Sequence, residues 1–189
     1  NLAILYPGRE SKFKLGGGAH MDHFIENRGI VPEKIILYFP THREDDRSIV
    51  NLNNVIKAIV FSEELNKWLN DNGYKFVICK HVNSEWNLRT EGQSDIIFAP
   101  PNELIQYIMR CSLLISDYSG VIANYLVLDK PIVLFPFDLK EYSEHRVLYG
   151  EYDDICYGPK VKNIGELIRL IVESKWAGQK FFKKDLRQV

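Results

Sequence analysis

The run Ser112–Phe135, SLLISDYSGVIANYLVLDKPIVLF, decides the fold. Ser112–Ser116 is a short β-favouring stretch with unbroken hydrophobicity, which suits a strand buried on both faces. It turns over through Asp117-Tyr118-Ser119-Gly120 into a helical pattern, Gly120–Leu128, and returns as a second apolar run, Pro131–Phe135. Strand, helix and strand in so few residues read as a βαβ unit, whose two strands lie parallel and whose crossover is right-handed.

Working outward, the strand signature recurs at Lys34–Phe39, Lys75–Cys79 and Asp95–Phe98, giving five candidate strands. Between and after them lie helical patterns. Asn51–Asn70 carries Leu52, Val55, Ile56, Ile59, Val60, Leu65 and Leu69 near 3.6 spacing, Asn102–Arg110 is opened by an asparagine cap, and Ile164–Ser174 comes last. This alternation predicts an α/β fold with a doubly wound parallel sheet, Rossmann-like in kind. The Gly-rich, poorly periodic residues 1–30 (with KLGGGAHMD) read as a connecting segment, residues 31–175 as the domain, and 176–189 as a basic and aromatic C-terminal helix.

A chain of 189 residues suffices for one such domain with a substantial core. Hydrophobic residues at 46% and charged residues at 26% are ordinary for a globular protein. A formal net charge of −1 provides no global positive field, so nucleic acid is not an expected partner. Cys79, Cys111 and Cys156 have no C-x-x-C spacing, which predicts a cytoplasmic domain without disulfides or zinc. No stretch approaches the roughly 18 apolar residues of a spanning helix.

Doubly wound sheets bind ligands beyond the carboxyl ends of their strands, so the chemistry is sought there. After Ser112–Ser116, Asp117 precedes Ser119 and Gly120, which place a hydroxyl and backbone amides at a helix start, a cradle for phosphate; the same residues would serve as a plain helix cap. Lys75–Cys79 ends at Lys80-His81, where an imidazole can act as acid, base or phosphate donor, or be an ordinary loop histidine. Lys34–Phe39 ends at Pro40-Thr41-His42-Arg43, and Arg43 can fork onto a diphosphate. The following Glu44, Asp45 and Asp46 are expected to compete for it. Pro131–Phe135 ends at Pro136-Phe137-Asp138-Leu139-Lys140-Glu141-Tyr142, where Asp138 and Glu141 can accept from ribose hydroxyls or merely open a helix.

Taken together, YFPTHRED, LLISDYSGVIANYLVLDKPIVLFPFDLKEY, GEYDD and YGP resemble the CDP-glycerol glycerophosphotransferase family, over roughly Leu15–Pro159. The resemblance implies the C-terminal, nucleotide-binding lobe of a GT-B fold, whose acceptor lobe with a Trp-His-Gly-Thr-Pro segment is not in these residues. It implies transfer of a polyol phosphate from a CDP-polyol to a hydroxyl of a growing teichoic acid or capsule chain, with release of CMP. It makes His81 the catalytic residue and Thr41, Arg43, Asp117, Ser119, Gly120, Asp138 and Glu141 the donor-binding set. Three departures stand out: Val82 replaces the proline of a Leu-His-Pro-like segment, Gly120 a second serine, and Asn124 an aspartate. No tightly bound cofactor is expected, and Mg²⁺ would come with the donor diphosphate. Rival readings of the same lobe are a sugar-nucleotide glycosyltransferase, an enzyme like the UDP-sugar 2-epimerases, and a non-catalytic nucleotide-binding module.

The tail SKWAGQKFFKKDLRQV sets Trp176, Phe181 and Phe182 among Lys175, Lys180, Lys183, Lys184 and Arg187. That mixture suits either the anionic inner membrane surface or packing against the acceptor lobe.

Overall fold

The computed structural model describes residues 21–81, 94–146, 152 and 158–178. All five expected strands form: β1 (Ile35–Phe39), β2 (Lys75–Cys79), β3 (Ile96–Ala99), β4 (Leu113–Ser116) and β5 (Ile132–Leu134). Every pairing is parallel, in the order β3-β2-β1-β4-β5. β1, β4 and β5 are buried along their whole lengths, the property that their unbroken apolar runs encode.

Helices cover both faces. Successive strand residues point to opposite sides of the pleat. Ile36, Tyr38, Phe76, Ile78, Leu113 and Ile115 therefore pack on one side with Leu52 and Ile56 of α2 (Asp46–Val60), Leu65 and Leu69 of α3 (Glu63–Asn72), and Leu167 and Ile171 of α7 (Ile164–Val172). Leu37, Phe39, Val77, Cys79 and Leu114 pack on the other side with Phe24 of α1 (Met21–Glu26), Ile108 of α4 (Leu104–Arg110) and Ile122 and Tyr125 of α5 (Val121–Leu126). A seventh helix, α6 (Leu139–His145), follows β5. Each aliphatic side chain so buried contributes about 1.5–3 kcal/mol. The crossover from β1 to β2 and that from β4 to β5 run in opposite directions on opposite faces, as one handedness requires.

Several boundaries differ from the sequence expectation, each for a local reason. Asn51–Asn70 is two helices rather than one. α2 starts earlier because the Asp45 side chain accepts from the Ser48 amide, and it ends at Val60, where the Asn66 side chain donates to the Val60 and Ser62 carbonyls. Ser62 then caps α3 by accepting from the Leu65 amide at 3.2 Å. Asn102 caps nothing: it lies in a 3₁₀ turn, Pro101–Glu103, that leads into α4.

Two proposed boundaries of the domain also move. Residues 21–30 are part of the fold, since Phe24 is buried in the core and Arg28 Nε donates to the Val127 carbonyl at 2.7 Å. Trp176, expected in the C-terminal tail, lies in the core of this domain. It is 4% exposed, packs with the α2, α3 and α7 side chains, and donates to the Ile171 carbonyl. Phe181, Phe182, Lys180, Lys183, Lys184 and Arg187 lie outside the described residues. Among the described residues no helix is long and apolar enough to cross a membrane. Cys79 and Cys111 are buried free thiols, both pushed up to about 12 chiefly by burial, while Cys156 is outside the described residues.

The segment around Pro159 extends the sheet beyond β5. The Leu134 amide donates to the Pro159 carbonyl at 2.8 Å and the Val161 amide to the Leu134 carbonyl at 2.9 Å. Gly158 makes this approach possible: its φ is +137°, and a Cβ there would lie 3.0 Å from Ile132 Cγ2. Gly158→Ala is expected to destabilise the domain by about 1–3 kcal/mol, through overpacking and a disfavoured backbone conformation. Urea denaturation measures this, and an unchanged midpoint would show that the segment is not pinned to β5.

Candidate functional site

With strand order 3-2-1-4-5, the chain leaves β1 towards one side of the sheet and leaves β4 towards the other. Their carboxyl ends therefore part and leave a crevice at the switch point. Thr41, His42 and Arg43 follow β1 there, Asp117 to Gly120 follow β4, and Asp138 follows neighbouring β5. Five of the eight residues expected to act, Thr41, Arg43, Asp117, Ser119 and Gly120, flank the crevice.

Its floor is a buried ionic cluster. Arg43 is 3% exposed and reaches two carboxylates from different strands. Nε donates to Asp138 Oδ2 at 2.7 Å, and Nη2 to Asp138 Oδ1 and to Asp117 Oδ2, both at 2.8 Å. Nη1 donates to the Thr41 carbonyl at 2.6 Å. Asp117 Oδ1 accepts from the Thr41 amide at 2.9 Å, the Thr41 hydroxyl at 2.6 Å and the Tyr118 amide at 2.7 Å. The Tyr118 hydroxyl donates to Asp138 Oδ1 at 3.0 Å. Tyr118, Phe137 and Tyr142 place ring centres 5.1, 5.5 and 5.0 Å from the guanidinium carbon, so aromatic faces replace some of its lost hydration.

The electrostatics follow from this crowding. Burial by itself pulls the Arg43 guanidinium down, but the Asp117 charge and the Asp138 hydrogen bond outweigh it and hold the group above its ordinary value. The Tyr118 and Tyr142 hydroxyls are pushed up, first by burial and then by Asp138 and Asp117 respectively. One arginine against two aspartates leaves a formal excess of one negative charge, which the Thr41, Tyr118 and backbone donors solvate.

The competition expected for Arg43 is therefore real, but its source differs. Glu44, Asp45 and Asp46 are not the competitors: Glu44 pairs with Arg146 beyond α6, Asp45 caps α2, and Asp46 begins that helix. Asp138 does not cap α6 either, since its carboxylate is turned in to Arg43. Glu141 stands half-buried in the first turn of α6. Beyond β4, the Ser119 hydroxyl accepts from the Val121 amide at 3.3 Å, and the Ile122 and Ala123 amides donate to the Ser119 and Gly120 carbonyls. Gly120 is exposed, and a Cβ there would meet nothing within 4 Å, so a serine would fit at this position.

His81 stands half-buried at the carboxyl end of β2, beside β1. Its ring stacks on Phe39 at 6.1 Å and on His42 at 5.5 Å and 18°. Burial, then the neighbouring His42, lower its pKa from the ordinary imidazole value. His42 in turn lines a cleft of about 220 Å³ with Arg43, Glu44, Asp45, Ser48, Tyr142, His145 and Arg146. Sequence reasoning missed His42, Tyr118, Tyr142, His145 and Arg146. His42 had a signal, its place at a strand end; the others become visible only when β4, β5 and α6 converge.

The comparisons with known proteins agree on one group. A teichoic acid poly(glycerol phosphate) polymerase of Bacillus spizizenii is 27% identical over 177 residues, which is 90% of this chain and 44% of that protein. A teichoic acid glycerol-phosphate primase of Bacillus subtilis is 32% identical over 127 residues, 67% of this chain and 32% of that protein. A teichoic acid poly(ribitol-phosphate) polymerase of Bacillus spizizenii is 27% identical over 146 residues, 76% of this chain and 23% of that protein. The chain thus spans from about a quarter to under half of these relatives' lengths. The solved wall teichoic acid polymerase TagF shares the fold, with a TM-score of 0.58 and 21% identity over 92% of this chain and 42% of that one. Residues 17–188 match the model of the CDP-Glycerol:Poly(glycerophosphate) glycerophosphotransferase family, and the chain belongs to that family.

Proposed function

We propose that this chain is the donor-binding lobe of an enzyme that moves a polyol phosphate, glycerol phosphate first among the candidates, from a CDP-polyol to a hydroxyl of a growing teichoic acid or capsule chain. The observation that carries the reading is the buried Arg43–Asp117–Asp138 cluster at the carboxyl ends of β1, β4 and β5, with the cleft lined by His42, Arg43, Tyr142 and Arg146 beside it. Relatives named for glycerol and ribitol phosphates, and a TagF variant soaked with CDPG, support a nucleotide-activated polyol as the donor class.

In this reading an acceptor hydroxyl oxygen attacks the phosphorus that bears the polyol, and the bond from that phosphorus to the oxygen of CMP breaks. The hydroxyl proton leaves to a base, and CMP carries away the bonding electrons. Such displacements depend on positioning and on stabilising developing charge. His81 takes that role at the reacting phosphates, the Ser119 hydroxyl and Gly120 backbone bind the donor diphosphate, and Glu141 accepts from the ribose. Thr41, Arg43, Asp117 and Asp138 hold the loops that carry these groups. Any Mg²⁺ arrives with the diphosphate, and the attacking hydroxyl comes from the polymer acceptor.

Calorimetry on this chain with CDP-glycerol, CDP-ribitol, CDP and UDP tests the reading. The CDP-polyols are expected to bind, more tightly than UDP, without turnover by the lobe alone. Equal binding of all four would remove the cytidine donor, and binding of UDP-sugars in preference would favour a glycosyltransferase.

A further inference from the structure

The loop after β1 carries a histidine that the reading above leaves without a task. His42 and His81 come from adjacent strands, and their rings lie nearly parallel, with centres 5.5 Å apart. His81 is held on its flank by Phe39 as well, so its plane is set by two rings. His42 also faces the cleft, so one edge of the pair belongs to the scaffold and the other to the ligand space.

We infer that His42 is a positioning residue that works through His81, fixing the plane of its ring and opposing a positive charge on it, so that His81 meets a nucleoside diphosphate donor as a neutral imidazole. The inference rests on the proposed transfer reaction for its purpose, but on the stacked pair for its physics.

Arg43 is matched by Asp117 and Asp138, Arg146 by Glu44, and Asp45 lies within electrostatic reach of His145. Lys80 adjoins His81 in sequence, and Glu103 acts on Cys79 two residues before it. Of the groups near His81, burial first and His42 second lower its pKa. A charge on His81 already present in the ground state would bind the donor phosphate before transfer, and a neighbour that opposes it leaves that stabilisation to the transition state.

The test is His42→Phe, which keeps an aromatic ring but has no ring nitrogen to protonate. The His81 ring is followed by NMR across a pH titration of this chain, and its midpoint is expected to rise by about half a pH unit, the effect of a unit charge 5.5 Å away even in bulk water. In the full-length protein, the acidic limb of kcat is expected to move up by the same amount. A His81 midpoint that does not move in a folded His42→Phe chain overturns the inference. Should that variant fail to fold, His42→Asn is read by the same criterion. If the midpoint rises but the full-length protein shows no transfer from any CDP-polyol, the proposed reaction fails and the coupling of the two histidines stands.

Discussion

Replacing Arg43 by alanine is expected to destabilise the domain by about 3–5 kcal/mol, the cost of breaking a buried pair so that charge is left uncompensated. Asp117 and Asp138 are 0% and 3% exposed, and the variant would leave both carboxylates facing a space that water reaches poorly. Arg43→Lys keeps the charge but cannot bridge two carboxylates and a carbonyl at once, so it is expected to fall between wild type and alanine. Adding Asp138→Asn to the alanine variant separates the causes. Recovery of part of the loss identifies uncompensated charge as its source, and no recovery assigns it to the packing lost among Tyr118, Phe137 and Tyr142. A loss under about 1 kcal/mol in the urea midpoint analysis would mean that the cluster is no more than a surface ion pair in strength.

Replacing His81 by alanine in the full-length protein is expected to lower transfer by roughly 10²-fold or more, with kcat falling further than donor affinity. A group that stabilises charge appearing in the transition state acts there more than in the bound ground state. Single-turnover kinetics with a CDP-polyol, alongside calorimetry on the same variant, separate the two effects. Near-normal turnover with an intact fold would make His81 a stacking partner of Phe39 and His42 and nothing more. A fall confined to donor binding would make it an anion contact.

Part of this was legible before any fold was known. Five short apolar runs read as strands buried on both faces, and all five form, although Ile97 and Phe98 of β3 are only half-buried. The helices were less legible: four patterns were read in the domain, whereas among the described residues Asn51–Asn70 divides in two and the short α1 and α6 carry too few turns to show a period. The break at Phe61 and Ser62 falls inside an apolar period that continues through it, and the Asn66 side chain that ends α2 gives no periodic signal. The strand ends themselves were legible, because position at a carboxyl end is a local property of the pattern.

Which partners the residues at those ends meet was decided by the tertiary structure. Arg43 meets partners 74 and 95 residues away, while the acidic residues beside it in sequence bind elsewhere. His42 and His81 stack because β1 and β2 are neighbours, and Trp176 is core because α7 returns it to the α2 and α3 face. The sequence by itself determined which segments are buried and with what period, since burial and helical spacing are written in consecutive residues. Strand order and the choice among competing charge partners were decided only by the tertiary structure, because they depend on which distant loops converge and on the loss of water where they meet.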